Sequence, residues 1–388
     1  MPVYGSDIIV DLMKALGIEY VAMNPGATFR GIHDSIVNHG GNAHPEIIEC
    51  LHEEIAVAMA HGYAKATGKP MVAITHDIVG LQHASMAIFN AWCDRVPLLI
   101  LGGTGPMDTS KRRPWIDWIH TALVQGNLVR DFVKWDDQPT TMTSAVESLL
   151  RAWAVAQTEP KGPVYICFDV ELQEGELPQG FPLPDVGRYP VPSTIYPDPS
   201  LLEQAANWMV EADFPVIIAD RMGRDGDAVG TLTELAEMLS IPVLDGGDHF
   251  NFANTHPLDL TGAEADVLSR ADLVLALEVD DLFGALHKVD MHQRQFVPTL
   301  SEKARIVHIS LKDQLIRSWA TDYQRLQAVD LSIAAHSAAA LSQLLVLCRK
   351  LSQGLGTQKK RTLEERKAAL GREHDELRAR WRADAERS

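Results

Sequence analysis

The chain has 388 residues, 46% of them hydrophobic and 22% charged, which is enough for two cored domains and too much for one. Its formal net charge of −17 excludes the basic footprint that displaces counterions from nucleic-acid phosphates, so small-molecule chemistry is expected. No stretch approaches the roughly 20 apolar residues of a membrane span. The acidic, helically periodic start MPVYGSDIIVDLMKALG lacks the basic head and unbroken apolar run of a signal peptide. Cys50, Cys93, Cys167 and Cys348 lie far apart with no CxxC spacing, which predicts reduced thiols and a cytoplasmic protein.

In chain order, the first predicted element is a helix over Asp7 to Leu16, with Ser6 as N-cap and Gly17 as stop. Strands follow at Tyr20 to Met23, Met71 to Thr75, Leu98 to Leu101 and Val164 to Phe168, with a helix over Glu53 to Thr67 closed by Gly68. Unbroken apolar strands alternating with helical segments imply a parallel sheet covered on both faces. Between Leu177 and Ser200, seven prolines exclude a central strand or a helix interior and predict a stiff connector. Beyond it the rhythm resumes with a helix at Ser200 to Glu211, a strand at Val216 to Ala219 and a helix at Asp227 to Leu239. Strands at Pro242 to Leu244, Leu273 to Leu277 and Arg305 to Ile309 complete it. The fold class is therefore α/β, with two doubly wound parallel-sheet domains and a charged C-terminal helix. The expected boundaries are a first domain at 1–180, a proline-rich linker at 181–198, a second, Rossmann-like domain at 199–350 and a tail at 351–388. In the tail, opposite charges at i, i+4 spacing predict a solvated or bridging helix with no apolar stripe.

The most informative segment is LHEEIAVAMAHGYAKATGKP, residues 51–70. Ala56, Ala58, Ala60, Gly62, Ala64 and Ala66 make a thin helix that a neighbour can approach closely, and Glu53 and Glu54 suit the positive end of its dipole. Those residues alone are equally consistent with tight packing and nothing more. Yet HE, followed after eight residues by GYA and then ATGK, resembles the helix of thiamine-diphosphate enzymes of the acetolactate synthase and benzoylformate decarboxylase type. In that family the helix carries the activating glutamate. The resemblance places this role on Glu53, whose carboxyl would bond the pyrimidine ring of thiamine diphosphate from a low-dielectric cleft, with a raised pKa.

Other segments fall where the same resemblance predicts. AMNPGATFRGIHDSI is similar to the NPG turn that opens the family's pyrimidine-binding domain, which sets Asn24, Pro25, Gly26 and Ala27 toward the ligand, with Gly26 permitting unusual backbone. THDIVGLQHASMAIFNAWCDRVPLLILGG resembles the segment running into D-x-VP-L and a GG turn. It departs from the synthases, which have serine, glycine and proline where this chain has His76, Asp77 and Ile78. Benzoylformate decarboxylases share a histidine four residues before the glycine, as His76 stands to Gly80, and such a histidine can relay protons. Gln82 and His83 are second-rank cofactor or substrate contacts. By register His120 takes the place of a glutamine in the family's D-x-F-Q pattern. The segments ADRMGRDG, IPVLDGGDHFNF and ADLVLALEVDD are similar to the family's central domain, which binds FAD or ADP in some members. Gly223, Gly226, Gly246 and Gly247 follow strand ends there, but no G-x-G-x-x-G occurs and no flavin is assigned.

The resemblance spans about residues 1 to 350. The family's third domain carries a GDG and asparagines that hold a divalent ion, usually magnesium, on the diphosphate. This sequence has no GDG, and its lookalikes at Arg224 to Asp227 and Asp245 to Asp248 lack the asparagines. Mg2+ would thus come through an absent domain or a separate partner subunit. The implied function is a component acting next to the carbonyl of a 2-oxo acid or related donor, as an acetolactate-synthase-like carboligase. The competing reading within the class is a benzoylformate-decarboxylase-like decarboxylase, and the competing reading outside it is a non-catalytic binding or regulatory subunit. The resemblance further implies a homodimer or higher assembly, through the helix at Ala56 to Ala66.

Overall fold

In the computed structural model, which describes residues 3–247, 249–293, 295–315, 323 and 325–387, the chain forms two compact α/β units, Met1–Ser193 and Thr194–Ser388. The division falls inside the proline-rich segment, whose only regular element between 178 and 198 is a single 3-10 turn at Val186–Arg188. That segment can neither donate ladder hydrogen bonds at its prolines nor continue a helix through them.

The first unit runs β1 (Val3–Tyr4), α1 (Gly5–Ala15), β2 (Tyr20–Met23), α2 (Arg30–Asp34), β3 (Glu46–Glu49), α3 (Glu53–Thr67), β4 (Met71–Thr75) and α4 (Asp77–Cys93). It continues with β5 (Leu98–Thr104), α5 (Asp117–His120), β6 (Asp136–Asp137), α6 (Met142–Gln157), β7 (Val164–Asp169), α7 (Val170–Glu174) and β8 (Glu176–Leu177). Six strands form an all-parallel sheet in the order β3-β2-β4-β5-β7-β6, while β1 and β8 make a short antiparallel pair. Apolar side chains alternate between two cores. Val72, Ile74, Leu99, Leu101 and Phe168 pack on one face, and Ala73, Leu98, Ile100, Tyr165 and Cys167 pack under α3 and α4 on the other. Double coverage explains the unbroken apolar runs. The start of α1 differs from expectation. Tyr4, not Ser6, is its N-cap, because Asp7 reaches back to accept from the Tyr4 backbone N–H at 2.9 Å.

In α3, Ala56, Ala60 and Ala64 are consumed inside the unit, where they let α4 approach. The outward stripe is therefore not the alanine row but Ile55 and Met59, 48% and 39% exposed, with Ala58 and Gly62.

The second unit runs α8 (Pro199–Glu211), β9 (Pro215–Ala219), α9 (Gly226–Leu239), β10 (Val243–Asp245), α10 (Glu264–Arg270), β11 (Leu273–Leu277), α11 (Leu282–Ala285), β12 (His287–Asp290), β13 (Gln295–Pro298), β14 (Arg305–Ile309), β15 (Leu331–Ile333), α12 (Ser337–Ser352) and α13 (Thr357–Arg387). Its five-stranded parallel sheet has the order β10-β9-β11-β14-β15 around one continuous core, with β12 and β13 as a separate hairpin. The charged tail is not solvated all round. Arg366, Leu370, His374 and Leu377 form a buried stripe along α13. Arg366 donates to the carbonyls of Leu239, Ser240 and Asp213, capping the end of α9, and His374 Nδ1 lies 2.8 Å from the Asp259 carbonyl. Two of the four positions are polar, which is why an apolar scan misses the stripe.

Candidate functional site

The first sheet reverses its direction of growth at β2. The chain goes from β2 outward to β3 and then returns to place β4 on the other side. Such a switch point leaves a crevice beyond the carboxyl ends of the two central strands. The residues after β2 and β4 meet there. A Cβ on Gly26 would lie 2.6 Å from His76 Cβ, so glycine is required for space. Its φ of −147° is extended and open to any residue, which corrects the expectation of unusual backbone. Asn24 is half-buried, Pro25 and Ala27 are exposed, and Thr28 Oγ1 lies 3.0 Å from His76 Nδ1.

Glu53 begins α3 and is only 4% exposed. Gly80 of α4 presses on it, since a Cβ there would sit 2.9 Å from Glu53 Oε1. His83, half exposed one turn further along α4, brings Nδ1 to 3.5 Å from Glu53 Oε2 and stacks on His52 at a centroid distance of 4.8 Å. Donor atoms of His52, Glu53 and His83 all lie within 4.8 Å of one another. A helix N-terminus disfavours a cation, so the cluster reads as polar surroundings of the carboxylate. Gln82 is exposed on α4.

His120 ends the one-turn α5, with Nδ1 3.1 Å from the Ile116 carbonyl and its ring 5.6 Å from that of His76. Glu53, Gly80 and His83 thus form one group and Gly26, His76 and His120 another. Burial, then the neighbouring His120, pushes the His76 imidazole below its ordinary value, and Glu53 pulls the other way. At neutral pH His76 is therefore a neutral base, free to accept a proton.

Sequence reasoning missed the residues beneath this pair. Asp77 is fully buried and Gln125 donates to its Oδ1 at 2.7 Å. Burial is the main cause that pushes its carboxyl up to about 7. Tyr165 donates to Gln125 Oε1 at 3.3 Å, and its hydroxyl occupies the notch left by Gly102, where a Cβ would come within 2.1 Å. Gly103 is needed too, because a Cβ there would meet the Thr28 carbonyl at 2.3 Å. The GG pair at the end of β5 was the available signal.

A separate cavity of about 630 Å³, lined by Tyr4, Asp7, Arg30, Asp34, His39 and Glu174 among others, contains none of the expected site residues. In the second unit, Gly223 and Gly246 serve loop packing, whereas a Cβ on Gly226 or Gly247 would meet open space. A Cβ on Gly223 would meet the Phe250 carbonyl at 2.1 Å, and one on Gly246 would meet Asp220 Oδ1 at 2.9 Å. Arg221 and Arg224 are engaged by Asp280 and Glu278. Asp248, part of one GDG lookalike, lies outside the described residues. Among the described residues, no helix is long and apolar enough to cross a membrane.

Comparison with known proteins matches residues 3–127 to the thiamine pyrophosphate enzyme N-terminal TPP binding domain. The chain is 25% identical over 358 residues to the acetolactate synthase large subunit of Lactococcus lactis, covering 89% of this chain and 57% of that protein. It is 27% identical over 192 residues to benzoylformate decarboxylase of Pseudomonas aeruginosa, covering 50% and 35%. Benzoylformate decarboxylase from Polynucleobacter necessarius shares the fold, with a TM-score of 0.73 and 21% identity over 89% of this chain and 61% of that one. The chain thus spans about half the length of the curated relatives it matches. Residues 3–127, which hold the β2–β4 crevice and Glu53, are thus similar to the N-terminal TPP binding domain of the thiamine pyrophosphate enzymes.

Proposed function

We propose that the first unit supplies the pyrimidine side of a thiamine-diphosphate site, in an enzyme that makes or breaks the bond next to the carbonyl of a 2-oxo acid or related donor. The observation that carries this reading is Glu53, a carboxylate buried at the head of α3 against a side-chain-free position of α4. A Gly80 without Cβ and a Gly26 without Cβ leave flat walls, and the donor set of one buried carboxyl plus imidazoles suits an aminopyrimidine. Glu53 would hold the ring and share its proton, with Gly80 and His83 beside it and Asn24, Pro25, Gly26 and Ala27 across the crevice. When bound, thiamine diphosphate supplies a carbanion and an electron sink. This chain's own part is to keep Glu53 out of bulk water, where its proton-sharing bond is strongest, and to present His76 and His120 as proton carriers. Mg2+ and the diphosphate would be held by residues this sequence does not contain.

Two reactions fit. Similarity over most of the chain to an acetolactate synthase supports carboligation. His76, held by Thr28 beside His120, supports decarboxylation, because the carbon that loses CO2 must take up a proton and a pair of neighbouring imidazoles can relay one. Assembly as a dimer is supported by the outward stripe of Ile55, Ala58, Met59 and Gly62 on α3. The proposal places this protein in the cytoplasm.

The test is calorimetric titration of thiamine diphosphate with Mg2+ into the chain alone and into the chain mixed with a polypeptide bearing the GDG and asparagine segment. Binding in the mixture that Glu53→Gln abolishes is the expected result. Identical behaviour of the wild type and Glu53→Gln would refute the reading and favour a non-catalytic binding or regulatory subunit.

A further inference from the structure

Between β4 and α4 the chain passes through Asp77 at φ +43°, a left-handed conformation that a non-glycine residue adopts only under constraint. The same residue is 0% exposed. Its Oδ1 accepts from the Ile78 backbone N–H and from Gln125 Nε2, each at 2.7 Å, while the buried Oδ2 has no partner among the described residues. Strain, burial and an unmet oxygen on one residue are what selection for stability alone removes, so the position calls for a reason beyond packing.

That reason lies in what Gln125 connects. It follows His120 by five residues and is itself fully buried, donating also to the Gly103 carbonyl at 3.2 Å and accepting from Tyr165. A chain of side chains therefore runs from Tyr165 on β7, through Gln125, to Asp77, whose neighbour in sequence is His76. It bridges the segment that bears His120 and the turn that bears His76.

We propose that Asp77 is the positioning residue of this site, acting through Gln125 to set the 5.6 Å separation of the His76 and His120 rings. The groups facing it are His76 beside it, His120 and Asp117 of α5, Gln125, and Tyr165 and Cys167 of β7. Burial keeps the carboxyl largely protonated up to about neutral pH, so the tie to Gln125 does not need the charge. An amide can replace it and a methyl cannot. The proposal deepens the reading in which both histidines serve the cofactor, but its geometry stands independently of thiamine.

The experiment is NMR on the full chain with isotope-labelled histidine, reading the cross-peak between His76 and His120 ring protons. Asp77→Asn, which still accepts from Gln125, is expected to keep the cross-peak. Asp77→Ala and Gln125→Leu are expected to lose it, and the double variant to look no different from either single one. If Asp77→Ala fails to fold, Gln125→Leu carries the test. A cross-peak unchanged in Gln125→Leu, or lost equally in Asp77→Asn, overturns the proposal. Thiamine diphosphate binding is measured in parallel. Loss of the cross-peak in a chain whose wild type fails to bind the cofactor even when mixed with the polypeptide bearing the GDG and asparagine segment supports the positioning role while removing the catalytic reading.

Discussion

Replacing Asp77 by asparagine should change the pH dependence of folding of the first unit. The Asp77 carboxyl titrates at about 7 in the folded protein against 3.8 ordinarily, so between these values the native state holds a proton that the unfolded chain has released. A raised folded pKa on an acid reverses the usual carboxylate case. Stability falls as pH rises from about 4 to about 7, is lowest above 7, and recovers fully only below the unfolded value. A gap of some three units corresponds to about 4 kcal/mol at most, a net figure in which the bond from Gln125 is already included. Asparagine bears no such proton. Asp77→Asn should therefore be near neutral at pH 4 and more stable than wild type by about 2–4 kcal/mol at pH 8. With a urea slope of about 2 kcal/mol/M, that is a midpoint shift of about 1–2 M. The assay is urea unfolding followed by 19F NMR of fluorotryptophan at Trp92, a buried residue of α4 that reports on the first unit. An equal difference between variant and wild type at pH 4 and pH 8 would refute the argument that burial raises this carboxyl.

Three further outcomes follow from named contacts. Gly80→Ala favours the helix but drives a methyl to within 2.9 Å of Glu53 Oε1, so calorimetry of the assembled enzyme should show thiamine diphosphate affinity falling about 10- to 100-fold with the fold retained. Gly102→Ala places a methyl 2.1 Å from the Tyr165 hydroxyl between two fully buried strands, and thermal unfolding should report a loss of about 1–3 kcal/mol in the first unit. Arg366→Ala strips the buried carbonyls of Leu239, Ser240 and Asp213 of their donor, and should cost about 2–4 kcal/mol, read as faster amide exchange in α13 and the end of α9 with the first unit unchanged.

Much of the fold was legible because both sheets are covered on two faces. The runs at 20–23, 71–75, 273–277 and 305–309 are strands at the predicted residues, since a doubly buried strand has no polar side to blur it. Where one face is wet the signal fades. Glu46–Glu49, an edge strand reading EIIE with both glutamates exposed, was not predicted. Nor was α4, which packs against β4, β5 and α3 and so lacks a clean polar face. The buried stripe of α13 was missed for a different reason, because an arginine and a histidine occupy two of its core positions and satisfy backbone carbonyls there.

At the candidate site, Glu53 and His76 could be nominated from sequence because each lies inside a motif of fixed local spacing. Asp77, Gln125 and Tyr165 could not, because their relation depends on three strand ends and on a notch at Gly102 that exists only when β5 and β7 lie side by side. One local sign was nevertheless present in the sequence. The triplet His76, Asp77 and Ile78 is where this chain departs from the serine, glycine and proline of the synthase pattern. Its middle residue has a left-handed backbone, φ +43°, which aspartate tolerates better than most side chains. A glycine there would make the same turn without strain. What the aspartate adds is a side chain that reaches Gln125, and through it the segment bearing His120. That tie, which glycine cannot make, is the contribution the positioning proposal assigns to Asp77.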